Sequence, residues 1–390
     1  MEEIVVRPRQ VKAEEEVKPV EKVKLYPYEP SDWELRVIEK VEKTHPQLSP
    51  MLLWNLCSVF ARYGNVNIAI RGCGKSAILK SIMNHVHNIV HIWVDAGFTP
   101  VYIANSDLVP IFETKPVEME VDDFCSFLAT TRETLLHTFM FISQITYNKC
   151  YFGRVKGHPT ITRSDVGTIG SGTYDFAKDA MILNMWTGNI QDRFTRYYHF
   201  YYDHPTEIED LPKIEENPPE IPDVSYSPLP SMGDETNVEL FKAVWEMFRT
   251  QMTDARAMIV ARKMLQAHAY LCGRDVVTDE DCKFLLLFRP FISIESNFVS
   301  RQVLEDGEVS QSRGLFFNDI APEILFYISY QPISIQEIAK RTNYREKVIR
   351  TTLNKLRRAG YVREEDGKWY ISGIFEEYLK HVYSCLGVYK

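Results

Sequence analysis

Two spacings of hydrophobic residues divide the chain up to position 203 into predicted helices and predicted strands. Apolar residues three or four positions apart indicate amphipathic helices, and short unbroken apolar runs indicate buried strands. Strands that alternate with helices pack as a mostly parallel sheet, so the pattern predicts an α/β fold. The helical segments are 31–42, 51–63, the residues after position 76, and 121–137. The predicted strands are the run that ends near position 70, then 88–97, 138–142, 180–186 and 197–202.

The composition changes on both sides of this region. Residues 1–30 alternate Glu, Lys and Val, which is typical of a solvated arm. Residues 204–236 are acidic and rich in proline, so they indicate a linker or a surface segment that wraps the domain. The predicted divisions are a flexible arm at 1–30, a core at 31–203, the linker at 204–236, a helical lid at 237–300 and a last domain at 315–390.

The pattern from 324 to 373 predicts three helices followed by a β-hairpin. Ser334 is placed to cap the second helix, and Gly360 to end the third. The hairpin turn falls at 365–367, where Asp-Gly favours a tight turn. This order of elements predicts a winged-helix domain. The residues expected to face its core from the third helix are Val348, Leu353 and Leu356.

Positive charge is concentrated on the third helix and the hairpin. Residues 340–368 carry ten basic and four acidic side chains, a local charge of +6 in a chain whose net charge is −8. Such a patch favours phosphate contacts, so we predict that this domain binds duplex DNA. Docking of another protein is the alternative. The predicted DNA-binding residues are Arg345, Lys347, Arg350, Lys355, Arg357, Arg358 and Lys368.

The overall composition is that of a water-soluble globular protein. Hydrophobic residues make up 45 % and charged residues 25 % of 390 residues, and no apolar run approaches the length of a membrane span. Charges begin at the second residue, so we expect no secretory signal peptide. Seven cysteines form no CxxC pair, which predicts a reduced, cytoplasmic setting.

The most specific functional pattern is the segment 67–82, NIAIRGCGKSAILKSI. A predicted strand, a turn with Gly72 and Gly74, the pair Lys75-Ser76 and a predicted helix follow one another, which is the order of a phosphate-binding loop. The glycines allow backbone N–H groups to surround a phosphate, and the helix N-terminus and Lys75 add positive charge. The Ser76 hydroxyl is the predicted Mg²⁺ ligand.

This loop departs from the consensus spacing. The consensus has four residues between its glycines, whereas only Cys73 separates Gly72 from Gly74. Counting back from Gly74 at full spacing reaches Ala69, which the pattern places inside the strand. The loop is therefore predicted to be short. Two explanations are open: the site is a degenerate phosphate-binding loop that has lost affinity, or a mobile segment is missing from the chain. The third possibility is that Gly-Lys-Ser occurs here by chance.

The order of these motifs resembles that of AAA+ ATPases, most closely the MoxR-like ATPases and MCM helicases, and next the origin-recognition ATPases. The segment 253–282, which begins TDARAM and ends GRDVVTDEDC, is similar to their lid helices. The resemblance implies that Arg256 acts as sensor 2, which reaches the γ-phosphate. It extends over roughly 51–290 and implies a P-loop AAA+-like parallel sheet with a helical lid.

A second resemblance to these families lies in the segment 187–194, TGNIQDRF. It is similar to the polar sensor 1 residue and the arginine that follows it. The resemblance implies that Asn189 is sensor 1. It also implies that Arg193 or Arg196 is an arginine finger that acts on a neighbour's nucleotide.

The acidic residues that hydrolysis requires are not evident in the sequence. In these families a strand ends in Asp-Glu, where Asp holds Mg²⁺ and Glu orients the attacking water. The predicted strand FMFIS ends at Ser143 and Gln144, neither of which is a carboxylate. Asp95 and Asp165 are the alternative acids. These departures predict weak or absent hydrolysis.

Two functions follow from the motifs and the resemblance. The first is an AAA+-like protein that binds ATP and Mg²⁺, is associated with DNA in replication initiation, helicase action or DNA remodelling, and forms a homo-oligomer, for which a hexameric ring is one form. The second is a catalytically inactive AAA+-like subunit with a structural or regulatory role, whose winged helix contacts partner proteins. Retention of Gly-Lys-Ser favours the first, and the missing acids favour the second.

Overall fold

The computed structural model describes residues 24–95, 97–124, 131–154, 156–174, 192–202, 217–294 and 320–388. The helices are α1 Asp32–Thr44, α2 Ser49–Ala61, α3 Lys75–His85, α4 Pro100–Ala104, α5 Leu108–Thr114, α6 Arg132–Tyr147, α7 Val238–Arg249, α8 Asp254–Leu271, α9 Asp279–Leu287, α10 Arg289–Ile292, α11 Ala321–Tyr330, α12 Ile335–Thr342, α13 Glu346–Arg358 and α14 Gly373–Cys385. The strands are β1 Gly64–Ile68, β2 Val86–His87, β3 Val90–Val94, β4 Pro116–Val121, β5 Tyr151–Phe152, β6 Thr160–Ile161, β7 Asp165–Gly172, β8 Phe194–Tyr198, β9 Val224–Ser225, β10 Gly233–Asp234, β11 Val276–Val277, β12 Val362–Glu365 and β13 Lys368–Ile371.

A five-stranded parallel sheet forms the centre of the fold. Its strand order is β3-β4-β7-β1-β8, and each described pairing in it is parallel. Strands β1, β7 and β8 are buried almost throughout, as expected for a parallel sheet covered on both faces. The sheet and its helices confirm the predicted α/β class and are consistent with a P-loop AAA+-like fold.

Helix α2 lies in the core of the molecule. All thirteen of its residues are buried, so it is covered on every side rather than along one stripe. It packs against β7 of the sheet and against α8, and α8 in turn packs against α7 and α9. Trp54 of α2 stacks on Phe248 of α7 and contacts Tyr197 of β8. Helix α2 therefore joins the sheet to the helices that the sequence predicts as a lid.

The run 138–142 is part of helix α6, and the strand prediction there was wrong. Thr131 caps this helix by accepting a hydrogen bond from the backbone N–H of Thr134. A continuous apolar run has no periodicity that separates a buried strand from a buried helix. The third strand of the core lies earlier, at Pro116–Val121, where the sequence indicated the beginning of a helix near 121.

Two buried glutamates make strand β4 hard to recognise from the sequence. Glu118 and Glu120 are completely buried, although their charge suggests an exposed face. The Arg62 guanidinium pairs with Glu118 at 2.6 Å, and His91 Nδ1 lies 2.5 Å from Glu120 Oε1. Burial raises the pKa of Glu118 to about 8, against the opposing effect of Arg62. Partners from distant segments thus allow two acidic residues to occupy a central strand.

The segment after the sheet lies against the surface where it is described. Residues 217–236 contribute β9, which pairs with β2, and β10, which pairs with β11. Tyr226 adds a hydrogen bond from its hydroxyl to Asp165 at 3.0 Å. The predicted strand at 180–186 lies outside the described residues, and the one at 197–202 is present with different bounds as β8.

The last part of the chain contains the predicted helices and hairpin. Helices α11, α12 and α13 precede the antiparallel pair β12–β13, and Ile333 forms an isolated bridge with Trp369. Asp366 and Gly367 both have positive φ, at 50° and 75°, as a tight two-residue hairpin turn requires. Among the described helices, none combines the length and apolarity that crossing a membrane requires.

Candidate nucleotide-binding site

The loop 69–74 leaves the carboxyl end of β1 and leads directly into α3. Gly72 and Gly74 have φ values of 77° and 90°, in the left-handed region where glycine is favoured. Gly74 is the N-cap of α3, and its carbonyl accepts the first helical hydrogen bond, from Ile78 N–H at 3.1 Å. The loop therefore has the glycine turn and the helix N-terminus that phosphate binding uses.

The loop has its full length, so the prediction of a shortened loop was wrong. Strand β1 ends at Ile68, and Ala69 lies beyond it, with its N–H 3.3 Å from the carbonyl of Gly172. The segment Ala69 to Ser76 then matches the consensus length, with Ala69 in place of the first glycine. The structure describes every residue of the loop from Ala69 to Ser76.

Lys75 points back into the loop. Its Nζ donates hydrogen bonds to the carbonyls of Ala69 at 2.9 Å and Ile70 at 2.6 Å, and the residue is 7 % exposed. The ammonium group is thus held within the ring of loop backbone that would surround a phosphate. A nucleotide phosphate would take these carbonyls' place as the partner of the positive charge.

Ser76 contacts an acidic residue that sequence reasoning missed. Its hydroxyl donates a hydrogen bond to the carboxylate of Asp122, which follows the last residue of β4. The carboxyl ends of β1 and β4 face the same edge of the sheet, with only β7 between them. A hydroxyl and a carboxylate are hard oxygen ligands, so this pair fits Mg²⁺.

Asp122 and Asp123 directly follow strand β4, as the two acids of a Walker B motif follow their strand. A strand with the pattern VEMEV followed by two aspartates was the available signal, but its glutamates made the strand hard to recognise. Asp123 is at the position where the families that the sequence resembles have glutamate. Thr173 follows β7, the strand between β1 and β4, and so lies at the same edge between the loop and Asp122.

The residues that the sequence suggested for the acidic positions of the nucleotide site lie elsewhere in the fold. Ser143 and Gln144 belong to helix α6, and the Ser143 hydroxyl accepts a hydrogen bond from Arg193 at 2.6 Å. Asp165 is the first residue of β7, at the opposite edge of the sheet, where Arg62 Nε donates to it at 3.0 Å. Asp95 follows edge strand β3 and accepts a hydrogen bond from the backbone of Gly97. Asp122 alone among these candidates contacts the phosphate loop in the described residues.

Arg193 and Arg256 lie together around Tyr147. Their guanidinium carbons are 5.9 and 4.7 Å from the centre of the Tyr147 ring, and Arg256 also forms an ion pair with Asp192. Within the described residues, Nε of Arg193 is buried without a hydrogen-bond partner. The two candidate arginines are therefore brought together by the fold.

This arginine pair is remote from the phosphate loop of its own chain. Arg193 precedes Phe194, which pairs with Gly64, the first residue of β1. The loop begins after Ile68 at the other end of that strand, and four steps of about 3.3 Å separate the ends by about 13 Å. In this arrangement Arg256 does not reach the chain's own γ-phosphate position, contrary to a sensor 2 acting within one copy.

Arg196 and Asn189 do not add to this cluster. Arg196 is completely buried in β8, where its guanidinium donates to the carbonyls of Phe194 and Gln251 at 3.3 Å. A buried guanidinium with backbone partners does not contact another molecule, so of the two arginines Arg193 is the better placed for the predicted contact with a neighbour. Asn189 lies outside the described residues.

The candidate nucleic-acid surface is the outer side of α13 with the adjacent hairpin. Ile349, Leu353 and Leu356 are buried, whereas Val348 is 46 % exposed, so the prediction that Val348 faces the core was wrong. Arg357 also contacts its own domain, because its guanidinium donates a hydrogen bond to the side chain of Asn354 at 3.1 Å. Each of the seven predicted DNA-binding residues is exposed, namely Arg345, Lys347, Arg350, Lys355, Arg357, Arg358 and Lys368.

Comparisons with known proteins find a structural likeness but no match in sequence. No protein-family profile matches it, and no curated protein matches it. A solved structure of a putative ATPase from Cytophaga hutchinsonii ATCC 33406 is similar at 16 % identity and a TM-score of 0.39, over 66 % of this chain and 84 % of that chain. A likeness of this size carries no argument about the function of this chain.

Proposed function

We propose that this protein binds Mg²⁺·ATP in an AAA+-like site formed by the loop 69–76 and the carboxyl end of β4. The observation that carries the proposal is the hydrogen bond from Ser76 to Asp122, which joins the end of a phosphate loop to the acid after a neighbouring parallel strand. Ser76 and Asp122 would hold Mg²⁺, directly or through water. Lys75 and the N-terminus of α3 would bind the phosphates.

Hydrolysis is the further step of this proposal. Bound Mg²⁺ would neutralise charge that develops on the phosphate oxygens. Asp123 is the carboxylate available to orient the attacking water, and its side chain is one methylene shorter than the usual glutamate. Thr173 is the available polar residue near the γ-phosphate. We expect slow turnover, since the shorter acid holds water less closely to the phosphorus.

The arginine pair supports action between copies of the chain. Because Arg193 and Arg256 lie at the edge of the sheet opposite to Lys75, a γ-phosphate contact by either would have to be made to the nucleotide of a second copy. An oligomer in which one copy's arginine edge faces the next copy's phosphate loop meets this requirement. A hexameric ring is one closed form of such a head-to-tail contact.

A mixing experiment tests this arrangement. The Asp122→Asn variant lacks the acid of its nucleotide site but keeps Arg193. The Arg193→Ala variant keeps the acid but lacks the arginine. Each variant alone should be inactive, and a mixture should recover ATP turnover at interfaces that pair an intact acid with an intact arginine. No recovery, in a mixture shown to co-assemble, would contradict action between copies.

The exposed basic surface supports association with duplex DNA, as in replication initiation, helicase action or DNA remodelling. The outer residues Lys347, Thr351, Asn354 and Arg358 follow one stripe of α13, opposite to its buried face. This is the placement that a recognition helix needs. Fluorescence anisotropy with a labelled duplex, with and without ATP, measures this binding and its coupling to the nucleotide.

The second candidate function is a non-catalytic AAA+-like subunit with a structural or regulatory role. Two substitutions favour it: Ala69 replaces the first glycine of the loop, and Asp123 replaces glutamate. Nucleotide binding measured by calorimetry and turnover measured by phosphate release separate the two functions. Binding with turnover no faster than in Asp122→Asn would favour the non-catalytic subunit, and absence of binding would contradict the first function.

A further inference from the structure

Three metal-ligating side chains meet where α1 crosses the end of α8, outside the nucleotide site. Glu34 lies in the first turn of α1 and His268 in the last turn of α8, and both are buried. Cys272 is the C-cap of α8 and is half-buried. One ligand atom from each residue lies within 4.8 Å of the others.

The separations of these atoms fit a tetrahedral metal ion. His268 Nε2 lies 3.4 Å from Glu34 Oε1, Cys272 Sγ lies 3.5 Å from His268 Nε2, and Cys272 Sγ lies 3.8 Å from Glu34 Oε2. Bonds of about 2.0–2.3 Å from Zn²⁺ at tetrahedral angles place neighbouring ligand atoms about 3.3–3.8 Å apart. His268 Nε2 and Cys272 Sγ are thus at ligand spacing from each other, and each is at ligand spacing from one of the two Glu34 oxygens.

A second set of residues orients the imidazole toward this point. His268 Nδ1–H donates to Asp281 Oδ1 at 2.7 Å, which leaves Nε2 directed at Glu34 and Cys272. Asp281 is itself held by the backbone N–H of Thr278 at 2.8 Å, and by Arg274. The ring of Phe284 stacks on the imidazole at 3.7 Å. A carboxylate on the far nitrogen is the arrangement that metal-bound histidines use.

We propose that Glu34, His268 and Cys272 bind a zinc ion. Tyr28 Oη lies 2.7 and 2.8 Å from the Glu34 oxygens, so its hydroxyl donates a hydrogen bond that orients this carboxylate. The incoming ion displaces the thiol proton of Cys272 to solvent and takes the Nε2 lone pair of His268. The carboxylate and the thiolate then balance the 2+ charge.

A bound ion would join the N-terminal segment to the predicted lid. Tyr28 and Glu34 come from the start of the described chain, whereas His268 and Cys272 belong to α8, and Asp281 to α9. The zinc would therefore fix α1 against α8 and act as a structural element. The nucleotide site does not depend on it, because none of these residues contacts the loop 69–76 in the described part of the chain.

Zinc content of the full-length protein tests the proposal. The chain is purified without a polyhistidine tag, dialysed against a weak chelator and measured by mass spectrometry of metals. We expect stoichiometric zinc in the wild type and its loss in His268→Gln and Cys272→Ser. Cys385→Ser is the matched control, since Cys385 also follows a histidine by four residues, with Sγ 3.7 Å from His381 Nδ1. Among the described residues, no carboxylate joins this pair in a metal-ligating group.

Cobalt substitution gives a second measurement that does not depend on the folding of a variant. Co²⁺ added to metal-free wild type should produce the intense visible absorption and thiolate charge-transfer band of a tetrahedral site. The band should be retained in Cys385→Ser. Absence of both zinc and the cobalt band in folded wild type would overturn the proposal and leave a hydrogen-bonded ion network. Zinc retained by a folded Cys272→Ser would also overturn the assigned ligand set.

Discussion

The Ser76 hydroxyl donates a hydrogen bond to the Asp122 carboxylate, although the two residues are 46 positions apart in the chain. Ser76 lies in the first turn of helix α3, after a glycine turn, and Asp122 follows strand β4, two positions from β1 in the sheet. Parallel strands direct their carboxyl ends to one edge, so such meetings are a property of the sheet rather than of local sequence.

Replacing Lys75 with Ala should remove most of the affinity for Mg²⁺·ATP. Its ammonium lies inside the loop, and charge-assisted hydrogen bonds contribute about 1.5–3 kcal/mol each, which corresponds to a loss of about 10- to 100-fold or more. Isothermal titration calorimetry with a non-hydrolysable analogue measures the change. Lys80→Ala is the control, since Lys80 is an exposed lysine of the same helix. Equal affinities for Lys75→Ala and wild type would contradict the assigned site.

Asp122→Asn should weaken Mg²⁺-dependent nucleotide binding, because an amide is a poorer Mg²⁺ ligand than a carboxylate. Asp165→Asn is the comparison, since Asp165 lies at the opposite edge of the sheet and should leave the affinity unchanged. Titration of the analogue at several Mg²⁺ concentrations separates metal binding from nucleotide binding. A larger effect of Asp165→Asn than of Asp122→Asn would restore Asp165 as the candidate acid.

The same Asp165 should make a pH-dependent contribution to stability. Burial alone would raise its pKa, but the Arg62 guanidinium, at 3.0 Å, holds the pKa below the ordinary value of 3.8. A carboxyl group whose pKa is lower in the folded state stabilises above its unfolded pKa, and this contribution is lost as pH falls through the folded pKa. The melting temperature of Asp165→Asn should therefore be lower than that of wild type at pH 7, by a modest amount because Asp165 is partly exposed.

That difference in melting temperature should shrink as the pH falls below about 4, where wild-type Asp165 becomes protonated in the unfolded state. Calorimetric scans across pH 3 to 7 measure it. A difference that stays constant over this range would show that the ion pair with Arg62 does not determine the effect.

Replacing Arg350, Lys355 and Arg358 together with Ala should weaken duplex binding and reduce its salt dependence. For each lost phosphate contact, the slope of log K against log salt should change by about 0.9. The control removes three exposed basic residues from α1: Arg36, Lys40 and Lys43. Equal affinity and slope for both triple variants would indicate that α13 docks a protein rather than DNA.

Ile349 and Val348 are neighbours with opposite environments. Ile349 is completely buried in the C-terminal domain, whereas Val348 is 46 % exposed. Ile349→Ala should lower the free energy of unfolding by about 2–5 kcal/mol, through lost burial and a cavity. Val348→Ala should change it by less than about 0.5 kcal/mol. Chemical denaturation compares them, and a reversed order would contradict the register of α13.

Part of the candidate site could be predicted from the sequence because its signals are local. The glycines of the loop are needed for backbone conformations that Gly72 and Gly74 adopt, and Lys75 and Ser76 begin the helix as expected. The Asp366-Gly367 turn was likewise predicted from two adjacent residues. Asp122 could not be found in this way, because its strand was not recognised.

The buried glutamates of β4 explain that failure. Glu118 and Glu120 are buried only because Arg62 and His91, from other segments, lie within 2.6 Å of them. A polar–apolar pattern cannot reveal a partner that is distant in sequence. The two glutamates therefore looked like exposed residues, and the strand was not predicted. The strand predicted for the apolar run 138–142 was wrong for a different reason. A continuous apolar run is compatible with a buried strand and with a buried helix.

By itself, the sequence determined the α/β class, the phosphate-loop residues, and the helices and hairpin of the C-terminal region. These features follow from spacing and turn chemistry within short segments. The tertiary structure decided which acid meets Ser76, that Arg193 and Arg256 share Tyr147 away from Lys75, and that Glu34 lies against His268. Each of these contacts joins segments far apart in the chain, and only the packing of the sheet and helices brings them within reach.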